Sequence, residues 1–152
     1  MRGTESQYLS FKLGDELFAM EINLVKEVVE WEKLEPAPRS PPILLGVFNY
    51  HGKVVSVVDI ADFFGEKSVG LGPDTRIVVL AGEDMSVGFR VDRANKIENF
   101  DKQALKSGQE LAVEKNHIKA VVNHEGRLYN IVDTERLLEN IENRFEPPKA
   151  GG

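Results

Sequence analysis

Residues 46–59 read GVFNYHGKVVSVVD, and residues 120–133, 74 positions further along the chain, read AVVNHEGRLYNIVD. Each stretch consists of two apolar runs on either side of a turn that contains glycine, which is the pattern of a β-hairpin. The valine, asparagine, glycine, valine and aspartate at positions 2, 4, 7, 13 and 14 of the stretch are identical in both copies. The pattern indicates an internal duplication, and a duplication decides the architecture.

A second pair of matching segments lies upstream of the first. FAMEIN at residues 18–23 aligns with VGFRVD at residues 87–92 when the shift is 69 instead of 74, which requires a five-residue insertion between the segments. Two copies of about 65 residues, each a set of short hairpins closed by a helix, predict two small barrels. Units of this size bury little surface alone, so we expect them to share an interface. Chance similarity is the alternative, because unrelated hairpins also share a turn glycine.

Glycine and proline residues divide the chain into short apolar runs, and these runs predict four hairpins. The paired strands cover residues 8–13 with 17–20, 45–50 with 53–58, 76–81 with 85–91, and 118–122 with 127–132. The stretch from Asn99 to His117 has no clear periodicity, apart from a helical turn predicted at residues 101–105. The overall prediction is therefore a mainly β fold.

A helix is predicted near residues 24–30. Apolar residues at positions 22, 25, 28 and 29 fit one helical face, and Asn23 is a suitable N-cap. The β-branched residues Val28 and Val29 fit a strand equally well. The periodicity alone does not decide between the two.

Two further helices are predicted near residues 60–64 and 134–145, with Asp59 and Asp133 as their caps. Pro147 and Pro148 lie in a short polar segment that follows the second of them, and such a segment is typical of a disordered tail. The predicted organisation is one domain over residues 8–145, containing repeats over about 17–65 and 76–139, and a disordered tail over 146–152.

The chain has 152 residues, no cysteine, 19 Lys and Arg against 25 Asp and Glu, and a formal net charge of −6. The lack of cysteine excludes disulfides, thiol catalysis and thiolate metal sites. The negative charge, without a basic block, argues against nucleic acid as a partner. No run approaches the roughly 18 apolar residues of a membrane span, and the first residues lack the apolar region of a signal peptide. We expect a soluble cytoplasmic protein without direct membrane insertion.

The sequence contains no recognisable catalytic or metal-binding motif. His51, His117 and His124 lack the spacing of metal ligands. Asp59 and Asp133 could be imagined as a catalytic carboxylate pair, but each follows a predicted strand and opens a predicted helix, so capping explains both. The sequence indicates a binding module without enzyme activity, metal or cofactor.

Several segments follow one another in an order that is typical of one protein family. The segments are FKLGDELFAMEI at residues 11–22, VKEV at 25–28, the proline-rich stretch 38–42, the hairpin 45–59 and the strand 87–92. Together they resemble the CheW family of bacterial chemotaxis coupling proteins. The resemblance extends from Tyr8 to Ile141.

This resemblance implies two SH3-like five-stranded β-barrels and a non-catalytic adaptor that joins chemoreceptors to the histidine kinase CheA. In the family, the homologous regulatory domain of the kinase docks barrel to barrel. The cytoplasmic tip of a methyl-accepting chemoreceptor lies in a groove between the barrels. By position, the resemblance implies partner contacts for Val25, Glu27, Val28, Gly46, Asn49, His51 and Gly52.

The second hairpin departs from the family pattern. Tyr50-His51 stands where the family usually has Leu-Arg, and Ser56 replaces a usual proline. An arginine keeps its charge at any pH, whereas a histidine is mostly neutral at pH 7. The departure leaves open an adaptor for a non-flagellar motility array with a different partner. From another class, an SH3-like nucleic-acid-binding module is a further alternative, which the charge balance opposes.

Overall fold

The computed structural model describes residues 5–82, 86–112 and 115–145, and these residues form ten strands. The strands are β1 (Glu5–Leu13), β2 (Glu16–Glu21), β3 (Val25–Glu30), β4 (Leu44–Tyr50), β5 (Lys53–Asp59), β6 (Arg76–Leu80), β7 (Val87–Val91), β8 (Arg93–Asp101), β9 (Ile118–His124) and β10 (Arg127–Val132). The helices are α1 (Lys102–Gly108) and α2 (Thr134–Phe145), with 3₁₀ turns at Ile22–Leu24, Ala61–Phe64 and Glu110–Ala112. The predicted mainly β fold class is confirmed.

The strands form two five-stranded sheets. Sheet A has the order β8-β1-β2-β10-β9, and sheet B has the order β3-β6-β7-β5-β4. Each sheet contains one parallel pair, in which Ala19 lies opposite Ile131 in sheet A and Gly88 opposite Val57 in sheet B. The sequence shift of 69 places Ala19 on Gly88, and the shift of 74 places Val57 on Ile131, so the two parallel pairs are equivalent. The duplicated halves therefore share one register, which confirms the predicted duplication.

Each half of the chain crosses to the other sheet at its third strand, and its fourth and fifth strands stay in that sheet. β3 follows β2 along the chain but pairs with β6 in sheet B, and β8 follows β7 but pairs with β1 in sheet A. As a result, sheet B is built from one continuous stretch, and sheet A combines strands that precede and follow it. The two sheets therefore do not coincide with the two sequence repeats.

The predicted helix near residues 24–30 is wrong, because this segment is strand β3. Only a 3₁₀ turn precedes the strand, and Asn23 lies within that turn and does not cap a helix. Val28 and Val29 lie opposite Val78 and Ile77 of β6. β-branched side chains pack well on such a pleated surface, and pairing with β6 stabilises the strand over the alternative short helix.

Strand β8 was not predicted: no element was assigned to residues 93–98, and only its last three residues fall in the stretch without clear periodicity. The helical turn predicted at residues 101–105 is confirmed as the start of α1, which begins at Lys102. The Asp101 carboxylate accepts a hydrogen bond from the Gln103 backbone N–H at 2.9 Å and so caps this helix. The predicted cap Asp133 is confirmed, whereas the N-cap position of the 3₁₀ turn Ala61–Phe64 is Ile60, one residue after the predicted cap Asp59. Asp59 accepts from the Ala61 N–H at 3.1 Å, and Asp133 accepts from the Arg136 N–H at 3.2 Å.

Three clusters of buried apolar side chains make up the core. The largest lies between the sheets and includes Phe11 from sheet A, Phe89 from sheet B and Leu137 from α2. A second cluster surrounds Phe100 in sheet A, and a third surrounds Phe48 in sheet B. Because the largest cluster draws on both sheets, each sheet covers apolar surface that it could not bury alone. The predicted tail at residues 146–152 lies outside the described residues.

Candidate partner-binding surface

The hairpin formed by β4 and β5 presents its turn to solvent. His51 and Gly52 have φ angles of 48° and 83°, as expected for the two central residues of a tight hairpin turn. The Asn49 side chain accepts a hydrogen bond from the Gly52 backbone N–H at 3.0 Å. All three residues are exposed. The structure therefore gathers Asn49, His51 and Gly52 at the tip of one hairpin.

A side-chain hydrogen bond links this hairpin to strand β3. The Tyr50 hydroxyl donates to the Glu27 carboxylate, and the Lys26 ammonium lies 5.9 Å from the centre of the Tyr50 ring. The His51 ring packs edge-on against Tyr50, with their centres 4.3 Å apart. β3 and β4 are opposite edges of sheet B, so this contact brings Glu27 beside the turn. Sequence reasoning noted Tyr50 only as a departure from the family pattern.

Gly46 lies where the segment after β3 approaches strand β4. It is buried, its φ is +149°, and an added Cβ would lie 2.7 Å from the Leu34 Cβ and 2.8 Å from the Glu35 carbonyl oxygen. The neighbouring residue Val47 exchanges two backbone hydrogen bonds of 2.8 Å with Glu35. Glycine at this position allows the segment after β3 to approach β4 closely. Gly46 therefore positions the surface and does not itself contact solvent.

Val25 and Val28 are half-buried and pack against the core cluster between the sheets. They offer a partner only part of their apolar area. Val54, which pairs with Asn49 across the hairpin, is 59% exposed. The exposure of Val54 cannot be read from the sequence, because alternation along the strand shows which residues share a face but not which face another element covers. We call Val25, Glu27, Val28, Gly46, Asn49, Tyr50, His51, Gly52 and Val54 the β3–β4 surface.

The hydrogen bond to Glu27 raises the pKa of Tyr50 above its ordinary value of 10.0, with burial and the negative charge of Glu27 acting in the same direction. Because the pKa of Tyr50 is raised in the folded state, the Tyr50–Glu27 interaction contributes fully to stability below pH 10. That contribution is lost as the pH rises through the pKa of Tyr50 in the folded protein. We expect the urea midpoint to fall less between pH 8 and about 11 in Tyr50→Phe than in the wild type. Burial also raises the pKa of Tyr8 and of Tyr129. The urea midpoint of Tyr50→Phe should therefore still fall in part at alkaline pH. Identical midpoint changes in both proteins would contradict the assigned hydrogen bond.

A cleft of about 430 Å³ lies where the two sheets meet. Its walls include Glu16, Phe18, Asp62, Phe64, Glu66 and Lys115. Phe18 belongs to β2 of sheet A, whereas Asp62 and Phe64 belong to the 3₁₀ turn after β5 of sheet B. The cleft is therefore a groove between the sheets, with acidic side chains at its mouth and aromatic rings in its wall.

Asp59 and Asp133 are occupied by structural hydrogen bonds. Asp59 accepts from the Ala61 N–H and from the Ser68 hydroxyl at 2.6 Å, and Asp133 accepts from the Arg136 N–H. Across residues 5–82, 86–112 and 115–145, no group of three or more His, Cys, Asp or Glu side chains could hold a metal ion. In the same ranges, no helix has the length and apolar character needed to cross a membrane.

A family model described as CheW-like domain matches residues 7–142. The chain is 28% identical over 148 residues to the chemotaxis protein CheW of Bacillus subtilis, covering 95% of this chain and 94% of that protein. It is 27% identical over 145 residues to protein FrzA of Myxococcus xanthus, covering 92% and 89% of the two chains.

The crystal structure of the scaffolding protein TtCheW from Thermoanaerobacter tengcongensis matches with a TM-score of 0.74 at 22% identity, covering 84% of this chain and 88% of that one. This similarity concerns the fold, which has two five-stranded sheets and a C-terminal helix in the present chain. The family model covers both sheets and most of α2. The chain therefore belongs to the family of CheW-like domains.

Proposed function

We propose that this chain is a non-catalytic cytoplasmic adaptor that couples methyl-accepting chemoreceptors to the regulatory domain of the histidine kinase CheA. The observation that carries the proposal is the match of the CheW-like family model to residues 7–142. The exposed turn of the β3–β4 surface supports it, because a hairpin tip beside a strand edge forms a preformed docking site. The chemistry of the surface is that of protein recognition.

The kinase regulatory domain is proposed to dock on the β3–β4 surface mainly through apolar contact. Val54 on β5 is 59% exposed and lies opposite Asn49, next to the turn. Removal of such a side chain from water favours association. The hydrogen-bonded Glu27 and Tyr50 side chains hold the surrounding surface in place.

Calorimetry with the purified kinase regulatory domain tests this proposal. The variant Val54→Ser is expected to weaken binding about tenfold, or 1.4 kcal/mol. Leu128→Ser is the matched control, because Leu128 occupies the equivalent hairpin position in sheet A and is 57% exposed. Wild-type affinity should change little between low and moderate salt, because apolar contacts are not screened. Undetectable binding by the wild type, or equal losses in both variants, would contradict the proposed site.

The receptor tip is proposed to contact the groove between the sheets and the turn residues Asn49, His51 and Gly52. An arginine at the turn would present a permanent cation with a planar fork of donors, whereas His51 offers a smaller ring. His51 is exposed, and its ring packs edge-on against Tyr50. The side chain is therefore available to a partner.

His51→Arg is expected to tighten binding of a receptor cytoplasmic fragment about threefold to tenfold at pH 7.5, because the guanidinium brings a permanent charge and a planar fork of donors. The measurement is a titration of labelled receptor fragment with the wild type and the variant. Glu125→Arg is the control, since Glu125 has the same place in the turn of sheet A and a similar φ of 53°. Equal affinities of the wild type and His51→Arg would show that His51 does not contact the receptor.

An adaptor in a different signalling array is the second candidate. Protein FrzA matches this chain at 27% identity, close to the 28% of the Bacillus subtilis CheW, and Tyr50-His51 replaces the residues usual in receptor-coupling members. Binding to a kinase other than CheA, with no binding to chemoreceptor fragments, would favour this candidate. The nucleic-acid alternative has no support in the charge of −6.

A further inference from the structure

A second recognition site is suggested by a cleft on sheet A, away from the β3–β4 surface. The cleft has a volume of about 650 Å³ and lies where β1, β8 and the start of β10 meet. Its charged lining residues are Lys12, Asp15, Arg93, Lys96, Glu98 and Arg127. None of them belongs to the β3–β4 surface. Four cations and two carboxylates give the cleft a formal charge of +2, whereas the whole chain carries −6.

The four cations are available to a ligand. Lys12, Arg93, Lys96 and Arg127 are all exposed, and within the described ranges none of them forms an ion pair. Lys12 lies directly opposite Arg93 in the register of β1 and β8. Two neighbouring positive charges repel each other, so an anionic ligand would stabilise the pair.

The buried carboxylate of the cleft is already engaged by the protein. Glu98 is 6% exposed, accepts a hydrogen bond from the Tyr129 hydroxyl at 3.2 Å and lies 3.6 Å from the His124 ring nitrogen. The Arg127 guanidinium acts on the pKa of the same Tyr129 phenol in the lowering direction, against the larger rise caused by burial and Glu98. The negative charge of Glu98 therefore lies beneath the surface, while the guanidinium groups remain at the mouth of the cleft.

A β-bulge fixes the position of Lys96 in the cleft wall. The register of β1 and β8 shifts between Leu9 and Phe11, so that Asn95 and Lys96 have no direct partner. The Ser10 hydroxyl, fully buried, donates to the Lys96 carbonyl at 2.9 Å and accepts from the Lys96 N–H at 3.3 Å. Bulges redirect side chains and often occur beside functional sites. This one is held by a buried hydroxyl, so the cleft is preformed.

We propose that this cleft binds an acidic segment of a protein partner, with side-chain carboxylates meeting Arg93, Arg127, Lys12 and Lys96. Guanidinium groups pair with carboxylates through two parallel hydrogen bonds. A volume of about 650 Å³ accommodates several side chains of an extended peptide. The site goes beyond the proposed kinase and receptor contacts, which lie on sheet B and between the sheets.

Fluorescence anisotropy of a labelled oligoglutamate peptide tests the proposal at low salt. We expect binding of oligoglutamate and no binding of an oligoglutamine peptide of equal length. The double variant Arg93→Gln/Lys96→Gln should weaken oligoglutamate binding by at least about tenfold. Lys102→Gln/Lys106→Gln, on the exposed face of α1, makes the same change in net charge and should weaken binding less than about twofold.

Equal losses in the two double variants would overturn the proposal, because they would show attraction by overall charge alone. Absence of oligoglutamate binding by the wild type would overturn it as well. Displacement of the peptide by an equal concentration of inorganic phosphate would assign the cleft to small anions and so contradict a peptide site. Unchanged urea midpoints of all variants establish that the differences arise at the surface. Kinase binding is measured separately, so the two proposals can fail independently.

Discussion

Gly46→Ala is expected to lower the free energy of unfolding by about 2–4 kcal/mol. The backbone φ of +149° is unfavourable for any side chain, and the new Cβ would lie 2.8 Å from the Glu35 carbonyl oxygen. That oxygen accepts the Val47 N–H at 2.8 Å, so relief of the clash would break a hydrogen bond between the segment after β3 and β4. The measurement is the urea midpoint followed by Trp31 fluorescence.

Gly70→Ala is the matched control for this variant. An added Cβ at Gly70 meets nothing within 4 Å, and Gly70 has no positive φ. We expect its effect to stay within about 0.5 kcal/mol. If both variants unfold at the same urea concentration, the close approach at Gly46 does not stabilise the protein. If only Gly46→Ala is destabilised and its kinase affinity also falls, Gly46 shapes the partner surface as proposed.

Leu137→Ala is expected to cost about 3 kcal/mol of stability, within the usual range for a buried leucine. Leu137 on α2 is 0% exposed and lies in the cluster between the two sheets. Since this cluster joins both sheets, the loss should destabilise them together. The midpoint reported by Trp31, which packs in the sheet B cluster, should therefore fall although the substitution lies on α2.

Leu138→Ala provides the control with the same chemical change. Leu138 is only half-buried at the border of the cluster, and we expect a loss of about 1 kcal/mol. A larger effect of Leu138→Ala than of Leu137→Ala would contradict the packing of α2. Two separate transitions in the wild type would show that the sheets unfold independently, against the role given to the central cluster.

The hairpins were predictable because their signals are local. A turn glycine between alternating apolar runs specifies both strands and their register, as residues 46–59 illustrate. The segment at residues 24–30 was mispredicted because its apolar spacing fits a helix and its β-branched residues fit a strand. Pairing with β6, which lies some 50 residues away along the chain, decides between them.

The crossing of the chain from one sheet to the other at β3 and at β8 could not be read from local patterns. Either strand could in principle pair with either sheet, and the choice depends on the packing of the complete core. The turn residues of the candidate site, His51 and Gly52, were predictable because the turn carries its own signal. The link between Tyr50 and Glu27 was not, since it joins opposite edges of sheet B.

The basic cleft escaped sequence reasoning for a related reason. Lys12, Arg93 and Arg127 are widely separated along the chain, and no basic run marks them. Their proximity depends on β8 pairing with β1, and on β2 lying between β1 and β10. The charge pattern of a sequence reveals continuous blocks of like charge, whereas the residues of this cleft are brought together by the fold.

Co-sedimentation with receptor-containing membranes tests the adaptor role most directly. Membranes bearing a chemoreceptor are mixed with CheA from the same organism, with or without this chain, and the kinase in the pellet is measured. The account predicts that the wild-type chain raises sedimented kinase severalfold, and that Val54→Ser reduces this gain while Leu128→Ser does not. An equal amount of sedimented kinase with and without the chain would contradict the coupling of receptor to kinase.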